Sequence, residues 1–488
     1  MISFSTYLSK YRQLPVQVKA SFWFFLCAFL QKAIGMISTP IFTRLMTPVE
    51  YGQYNVFNSW FNIIGILISL RLYYGVYMQG LVKFEDQKAL FSASMQTLSL
   101  VLVLLWSVIY ACGYSFWNGL LSLTTTQMVC MFVLIWTTAV FGFWSSEQRV
   151  DFKYRALVIV SVIVAILQPL IGILFVVASS DKVTARILGL VLVDLVCFSW
   201  MFIGQMKRGK YRTSFTFWRY ALIFNIPLVP HYLSQVVLSS SDRIMIGHMV
   251  GDSQAGIYSL AYSVALIMTL FNNALGQTLN PWIYKQIKTQ KIKKLCSVVY
   301  PVLIFVAFVN LCLIMCAPEV VRIFAPRSYY QAIWIIPPVA ISVYLMFCYD
   351  AFAKFAFYYE KTVYIMVASV IGAAANIALN YWLIPIFGYM VAGYTTLACY
   401  MLYVLFHYIF MNKICDKYCG KIHPYSTRKI FQITAMFFLL SFGILFTYRY
   451  NWVRYGVIAI FMLIFLLKYR FFLSLLQQLE WKFSTKIP

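Results

Sequence analysis

The sequence predicts an all-α fold: a polytopic membrane protein with about fourteen transmembrane helices. Three observations predict it. Apolar stretches follow one another along nearly the whole chain, each near the length of about 20 residues that a helix needs to cross a bilayer. Hydrophobic residues make up 62% of the 488 and charged residues only 11%, whereas a soluble domain carries about 25% charged residues. The segments between the stretches are short, so a soluble domain has no room.

The first run, 18–46, is too long for a signal-peptide core and lacks a small-residue cleavage site. It is expected to remain as a span, with Lys32 far from either end. The second, 49–78, carries Arg71 deep inside it. Spans three to six cover 88–112, 118–144, 154–179 and 184–206, with Pro169 in the fifth and Asp194 in the sixth. The seventh, 219–247, holds Pro227, Pro230 and His231. Spans eight to ten cover 253–280, 293–317 and 329–357, and the tenth carries Pro337, Pro338, Asp350 and Lys354. The last four cover 361–384, 389–411, 429–448 and 452–473. Cysteines such as Cys27, Cys130, Cys197 and Cys312 fall within spans and read as small apolar residues. The 42 Phe and 36 Tyr residues suit interfacial belts, helix packing and a surface for sugar rings.

Charge sets the expected orientation. The net charge is +25, and of the 39 Lys and Arg residues 28 fall on one face, 8 on the other and 3 within spans. This bias places both termini in the cytoplasm. It also explains the basic balance without a nucleic-acid partner.

The chain carries a weak internal repeat. Thr47–Ser59 and Gly251–Ser263 align at a shift of 204 positions, with Gly52 on Gly256, Tyr54 on Tyr258 and Ser59 on Ser263. Ser161-Val162-Ile163 echoes Ser369-Val370-Ile371, and Gly189 echoes Gly393. Two six-helix bundles running in the same sense are expected around a central cavity. The first covers 1–215 and the second 216–412. Two final helices and a cytoplasmic tail make up 413–488.

Ionisable residues inside spans are costly and should face water or a partner. Lys32, Arg71 and Lys354, with Arg44, are the candidate substrate-binding cations. Asp194, Asp350 and His231 are the candidates for ion coupling. Asp350 and Lys354 stand four apart on one helix and can neutralise each other. Arg71 can extend toward an interface. Pro227 and Pro230 mark a candidate hinge, since each removes a backbone donor.

Two patterns mislead. Gly204–Lys210 has P-loop spacing, but Tyr211 stands where the metal-binding hydroxyl belongs, and a membrane span precedes it. Cys415, Cys419 and His423 give three irregularly spaced ligands and no fourth. No metal site and no bound cofactor is expected beyond a coupling ion, H+ or Na+.

The run Ile37-Ser-Thr-Pro-Ile-Phe-Thr-Arg-Leu-Met-Thr-Pro-Val-Glu-Tyr-Gly52-Gln-Tyr54 resembles bacterial polysaccharide-lipid flippases. So do Ala255-Gly-Ile-Tyr-Ser-Leu-Ala-Tyr262, Asn376-Ile-Ala-Leu-Asn380, and Ile384-Pro385 with Gly388 and Gly393. These are the O-antigen and capsule repeat-unit translocases of the multidrug/oligosaccharidyl-lipid/polysaccharide exporter superfamily. The resemblance implies a transporter rather than an enzyme. It implies an undecaprenyl-diphosphate-linked oligosaccharide moved from the cytoplasmic to the outer leaflet of the inner membrane by alternating access. Membrane lipid, a polymerase and chain-length proteins are the partners it implies. A multidrug cation antiporter and a lipid II translocase are the alternatives within the superfamily. A membrane polymerase or ligase is a third, disfavoured because no sizeable outer loop is present to hold its chemistry.

Overall fold

The computed structural model describes residues 16–463 and 467, so the far end of the predicted last span lies outside the described residues. Those residues form α-helices joined by short turns and 3-10 segments, with no strand among them. Among the described residues twelve helices are long and apolar enough to cross a bilayer, against the fourteen expected. The protein is a polytopic all-α membrane protein.

The chain divides into two compact units, one up to Ser240 and one from Ser241. The first contains α1 (Val16–Leu45), α2 (Pro48–Ser69), α3 (Gly75–Lys83), α4 (Lys88–Cys112), α5 (Tyr114–Leu121), α6 (Thr125–Val150), α7 (Tyr154–Ala178), α8 (Lys182–Arg208) and α9 (Phe215–Asn225). The division falls within α10 (Val229–Met249). The second contains α11 (Asp252–Ala265), α12 (Ile267–Lys288), α13 (Cys296–Met315), α14 (Ala317–Phe324), α15 (Ile336–Tyr358), α16 (Thr362–Phe387), α17 (Val391–Tyr418) and α18 (Thr427–Thr447). A shorter apolar helix, α19 (Asn451–Leu463), follows.

In the first unit α1 runs along α7, α7 along α8, and α8 against α6 and α4. Gly189 and Gly172 allow the approach of α8 to α7. A Cβ on Gly189 would stand 2.9 Å from the Gly172 Cα, too close for backbone that cannot yield. Small residues are what lets membrane helices come this near. A second core joins α3, α4, α6 and α9 through Tyr77, Phe91, Phe143 and Phe217; Tyr77 and Phe91 stack at 5.6 Å. In the second unit α15 is flanked by α17 and α13, and most of its length is buried.

The structure corrects several boundaries. The predicted second span is two helices. The chain leaves α2 at Leu70 and Arg71, both with left-handed backbone (φ 49° and 48°), and restarts at Gly75. Arg71 therefore sits in a helix break, not deep in a continuous span. The predicted fourth span begins later, because Ser122 turns left-handed and Thr124 caps α6 with Gln127 in a capping box. Pro337 and Pro338 open α15 rather than break it, since the first helical turn has no need of their missing donors. The Gly204–Lys210 segment is helical through Arg208. Arg208 grips the buried Glu147 with bonds of 2.6 and 2.8 Å.

Candidate functional site

The predicted residues fall in separate places. Lys32 is exposed on α1. Arg44 lies in the last turn of α1, and its Nη1 donates to the Pro40 carbonyl at 2.8 Å. Arg71 is half-buried, 5.5 Å from the Tyr232 ring centroid. His231 adjoins that ring, and its buried Nδ1 has no hydrogen-bond partner. Pro227 lies in a 3-10 turn, Ile226–Leu228, that interrupts the seventh span, and Pro230 lies in the first turn of α10. In the second unit Lys354 is buried, and its Nζ donates to Asp350 Oδ1 at 2.7 Å. The pair thus neutralises itself across one turn.

Asp194 leads to a site the sequence reading missed. It is buried on α8 and accepts a 2.7 Å bond from Gln168 of α7. Gln168 also lines a cavity of about 390 Å³ within the first unit, walled by α1, α2, α7 and α8. Successive residues of an α-helix turn by about 100°. Gln31, Gly35, Ser38, Thr39 and Phe42 therefore share the face of α1 that lines the cavity. Lys32 stands at the edge of that face.

Among the described lining residues, Arg186 of α8 is the only side chain charged at neutral pH. Its Cζ lies 3.6 Å from the Tyr54 ring centroid and 3.7 Å from that of Phe42. The guanidinium carbon lies over two ring faces, a favourable cation–π arrangement. Its Nη1 approaches the Met46 sulfur at 3.6 Å. Among the described residues no carboxylate pairs with it. Glu50, one turn before Tyr54, is taken up by the capping box at Thr47 and by Lys182 at 3.8 Å. The remaining lining includes Ser38, Thr39, Asn58 and Gln168, neutral groups that can bond hydroxyls. The charge tally places Arg186 among the eight basic residues of the face opposite the termini. Its position one turn inside α8 was the available signal.

The second unit holds a complementary feature. Asp242 of α10 is 1% exposed. Its Oδ2 accepts from the Tyr258 hydroxyl at 2.6 Å and from Thr396 Oγ1 at 2.7 Å; its Oδ1 accepts from Asn380 Nδ2 at 2.6 Å. Ser241 donates to Asn376 Oδ1 at 2.9 Å, and Thr395 donates to Asn380 Oδ1. Among the described residues no cation pairs with this carboxylate. The carboxylate and hydroxyl oxygens gathered here, with the amide oxygens of Asn376 and Asn380 close by, are of the ligand type that hard cations prefer. The signal was legible: Asp242 ends a run of serines inside a span, and Asn376 and Asn380 share one helical face.

A groove of about 600 Å³ also lies in this unit. Its walls are mostly hydrocarbon, including Leu345, Phe352, Met401, Ile430 and Phe438.

Comparison with known proteins gives the family. Residues 18–287 match the family described as polysaccharide biosynthesis protein, and residues 227–382 match MatE. The chain belongs to the polysaccharide biosynthesis protein family. A protein of the Lsg locus of Haemophilus influenzae is 27% identical over 212 residues, covering 41% of this chain and 51% of that protein. The chain thus spans about half the length of the curated relatives it matches. The fold is shared with the lipid II flippase MurJ in its inward closed conformation (TM-score 0.62, 12% identity, 88% of this chain and 99% of that one). It is shared as well with an inward-facing MATE multidrug transporter of the MOP superfamily (TM-score 0.60, 10% identity, 79% and 96%).

Proposed function

We propose that the protein is a flippase for undecaprenyl-diphosphate-linked oligosaccharide repeat units of O-antigen or capsule type. It moves them from the cytoplasmic to the outer leaflet of the bacterial inner membrane by alternating access, with both termini in the cytoplasm. The observation that carries this reading is the Arg186 cavity: a hydroxyl- and amide-lined space holding an unneutralised cation inside a bundle of apolar helices. Each sugar hydroxyl costs several kcal/mol in hydrocarbon without a partner, and such a lining supplies partners. A drug-cation antiporter would want an acidic cavity, and this one carries a positive charge.

Lys32, Arg44 and Arg71 are the cations of the first unit that we assign to the diphosphate; Lys354 of the second joins them only by exchanging its Asp350 partner for phosphate. The hydrocarbon groove of the second unit suits the polyprenyl chain. A coupling ion, H+ or Na+, fits Asp242 better than Asp194 or Asp350. Asp242 would hold it with Asn376, Asn380 and Thr396, and the ion would supply neutralisation of the buried carboxylate. The glycan polymerase and chain-length proteins are the expected neighbours in the pathway.

The test is a deletion strain. Lipid-linked repeat units should accumulate on the cytoplasmic side and be exported again when the wild-type chain is supplied. Lys32→Ala and Arg71→Ala should fail to restore export while inserting normally. Accumulation of unpolymerised glycan outside the membrane would instead indicate a polymerase or ligase. Arrested peptidoglycan precursors would indicate a lipid II translocase, and altered drug susceptibility alone an antiporter.

A further inference from the structure

We propose that the Arg186 cavity recognises the carboxylate of an acidic sugar, so that the glycan this protein handles carries a uronic acid or a similar carboxylated residue. The proposal rests on the flippase reading and narrows its substrate class. Phe42 and Tyr54 each bring a ring face against the guanidinium carbon. The guanidinium N–H groups lie in one plane, and among the described residues only Nη1 is engaged, by the Met46 sulfur at 3.6 Å. A planar carboxylate matches such an edge with two parallel bonds.

The charge balance points the same way. A single cation satisfies a single negative charge. A diphosphate bears more than one, and with Arg186 alone it would bring uncompensated charge into a low-dielectric bundle. The rest of the wall suits a sugar ring. Ser38, Thr39 and Asn58 offer donors and acceptors, and Gln168 keeps its carbonyl oxygen as an acceptor after giving an N–H to Asp194. The cavity of about 390 Å³ lies within the range of small-ligand sites, about 300 to 1,000 Å³.

The experiment uses the purified full chain in nanodiscs and saturation-transfer NMR with three probes: glucuronate, glucose and inorganic pyrophosphate. Wild type should bind glucuronate more tightly than glucose or pyrophosphate. R186Q should weaken glucuronate binding by about tenfold or more, the scale of a lost charge-assisted contact, and leave glucose binding unchanged. R186K, which keeps charge but not the planar fork, should fall between them. If R186Q does not fold, Asn58→Leu serves instead, with weaker binding of both sugars expected. Wild-type affinity for glucuronate in R186Q, or in Asn58→Leu where it stands in, would overturn the proposal. So would a wild-type preference for pyrophosphate, which would make this a diphosphate site. Failure of the flippase reading shows separately, as a deletion strain with normal glycan export. Glucuronate binding lost in R186Q beside such a strain would keep the site and discard the transport role.

Discussion

At the scale of single residues, two carboxylates have opposite settings and opposite expected behaviour. Asp242 is sealed and satisfied by neutral donors, two of them hydroxyls. Hydroxyls can reverse and accept, so Asp242→Asn can turn its amide toward Tyr258 and Thr396 at a cost of about 1 kcal/mol. It cannot take up a cation. Melting should therefore change little while glycan export is lost; full export in Asp242→Asn would remove it from coupling. Asp242→Ala leaves three donors stranded, at about 1–3 kcal/mol for each, and should melt well below wild type. Asp151 lies outside the spans, in the turn between α6 and α7. Partial burial raises its carboxyl, but bonds and charges from Lys88 and Lys153 outweigh this and hold it below the ordinary carboxylate value. A lowered folded value means the contribution is whole above the unfolded value of about 3.9 and fades as pH falls through the folded one. Asp151→Asn should cost about 1 kcal/mol or less at pH 7. In melts run down the pH scale, the gap from wild type should close below about pH 4. A gap that stays constant would contradict the ion-pair account.

At the scale of elements, the break after α2 was not legible. The run Ile66–Leu72 has neither glycine nor proline, so nothing local announces a stop. Tertiary contacts impose it. Leu72 is fully buried, and the buried Asn225 of α9 donates to the Leu70 carbonyl. Two consecutive non-glycine residues in left-handed backbone cost about 1–2 kcal/mol each, and that bond offsets part of the cost. Asn225→Leu keeps the bulk and removes the donor. It should destabilise the protein by about 1–3 kcal/mol, and hydrogen exchange should quicken first at 70–74. Uniform exchange across the first unit would separate the break from Asn225. The α7–α8 contact was partly legible, since Gly189 stood out in the repeat. Its partner Gly172 did not, because only the packed pair shows which glycine meets which. Gly189→Val should force the helices apart, costing about 1–3 kcal/mol or more. It should also impair sugar binding, because Gln168 and Arg186 line the cavity from these two helices. Wild-type melting in Gly189→Val would show that the contact is dispensable.

At the scale of the whole molecule, the all-α membrane class and the family were legible because hydropathy dominates a chain whose solvent is lipid, although twelve helices among the described residues, not fourteen, are long and apolar enough to span. The cavity was less legible, because Arg186 stood among many loop charges of the same sign. The internal repeat connects the two functional centres. Tyr54 and Tyr258 are equivalent at the shift of 204, and each faces the charge of its own unit: Tyr54 against Arg186, Tyr258 bonded to Asp242. One turn before each tyrosine's helix-mate the echo holds again, since Asn55 donates to the Tyr51 carbonyl and Ser259 to that of Ala255. Carried back to the preceding helix, the same shift sets Ser38 of the cavity wall on Asp242. The two units thus place opposite charges on one inherited frame, an open cationic cavity in the first and a sealed anionic cluster in the second. Ser38→Asp copies the second unit's acid into the first. A carboxylate sharing that cavity with Arg186 gains its only cationic partner, and the internal pair displaces any external anion. Glucuronate binding should fall about as far as in R186Q, and melting should stay level or rise. Ser38→Asn, of the same size without charge, should keep binding within about threefold of wild type, well short of a tenfold loss. Equal loss in both variants would mean that bulk at position 38, and not charge, governs the cavity.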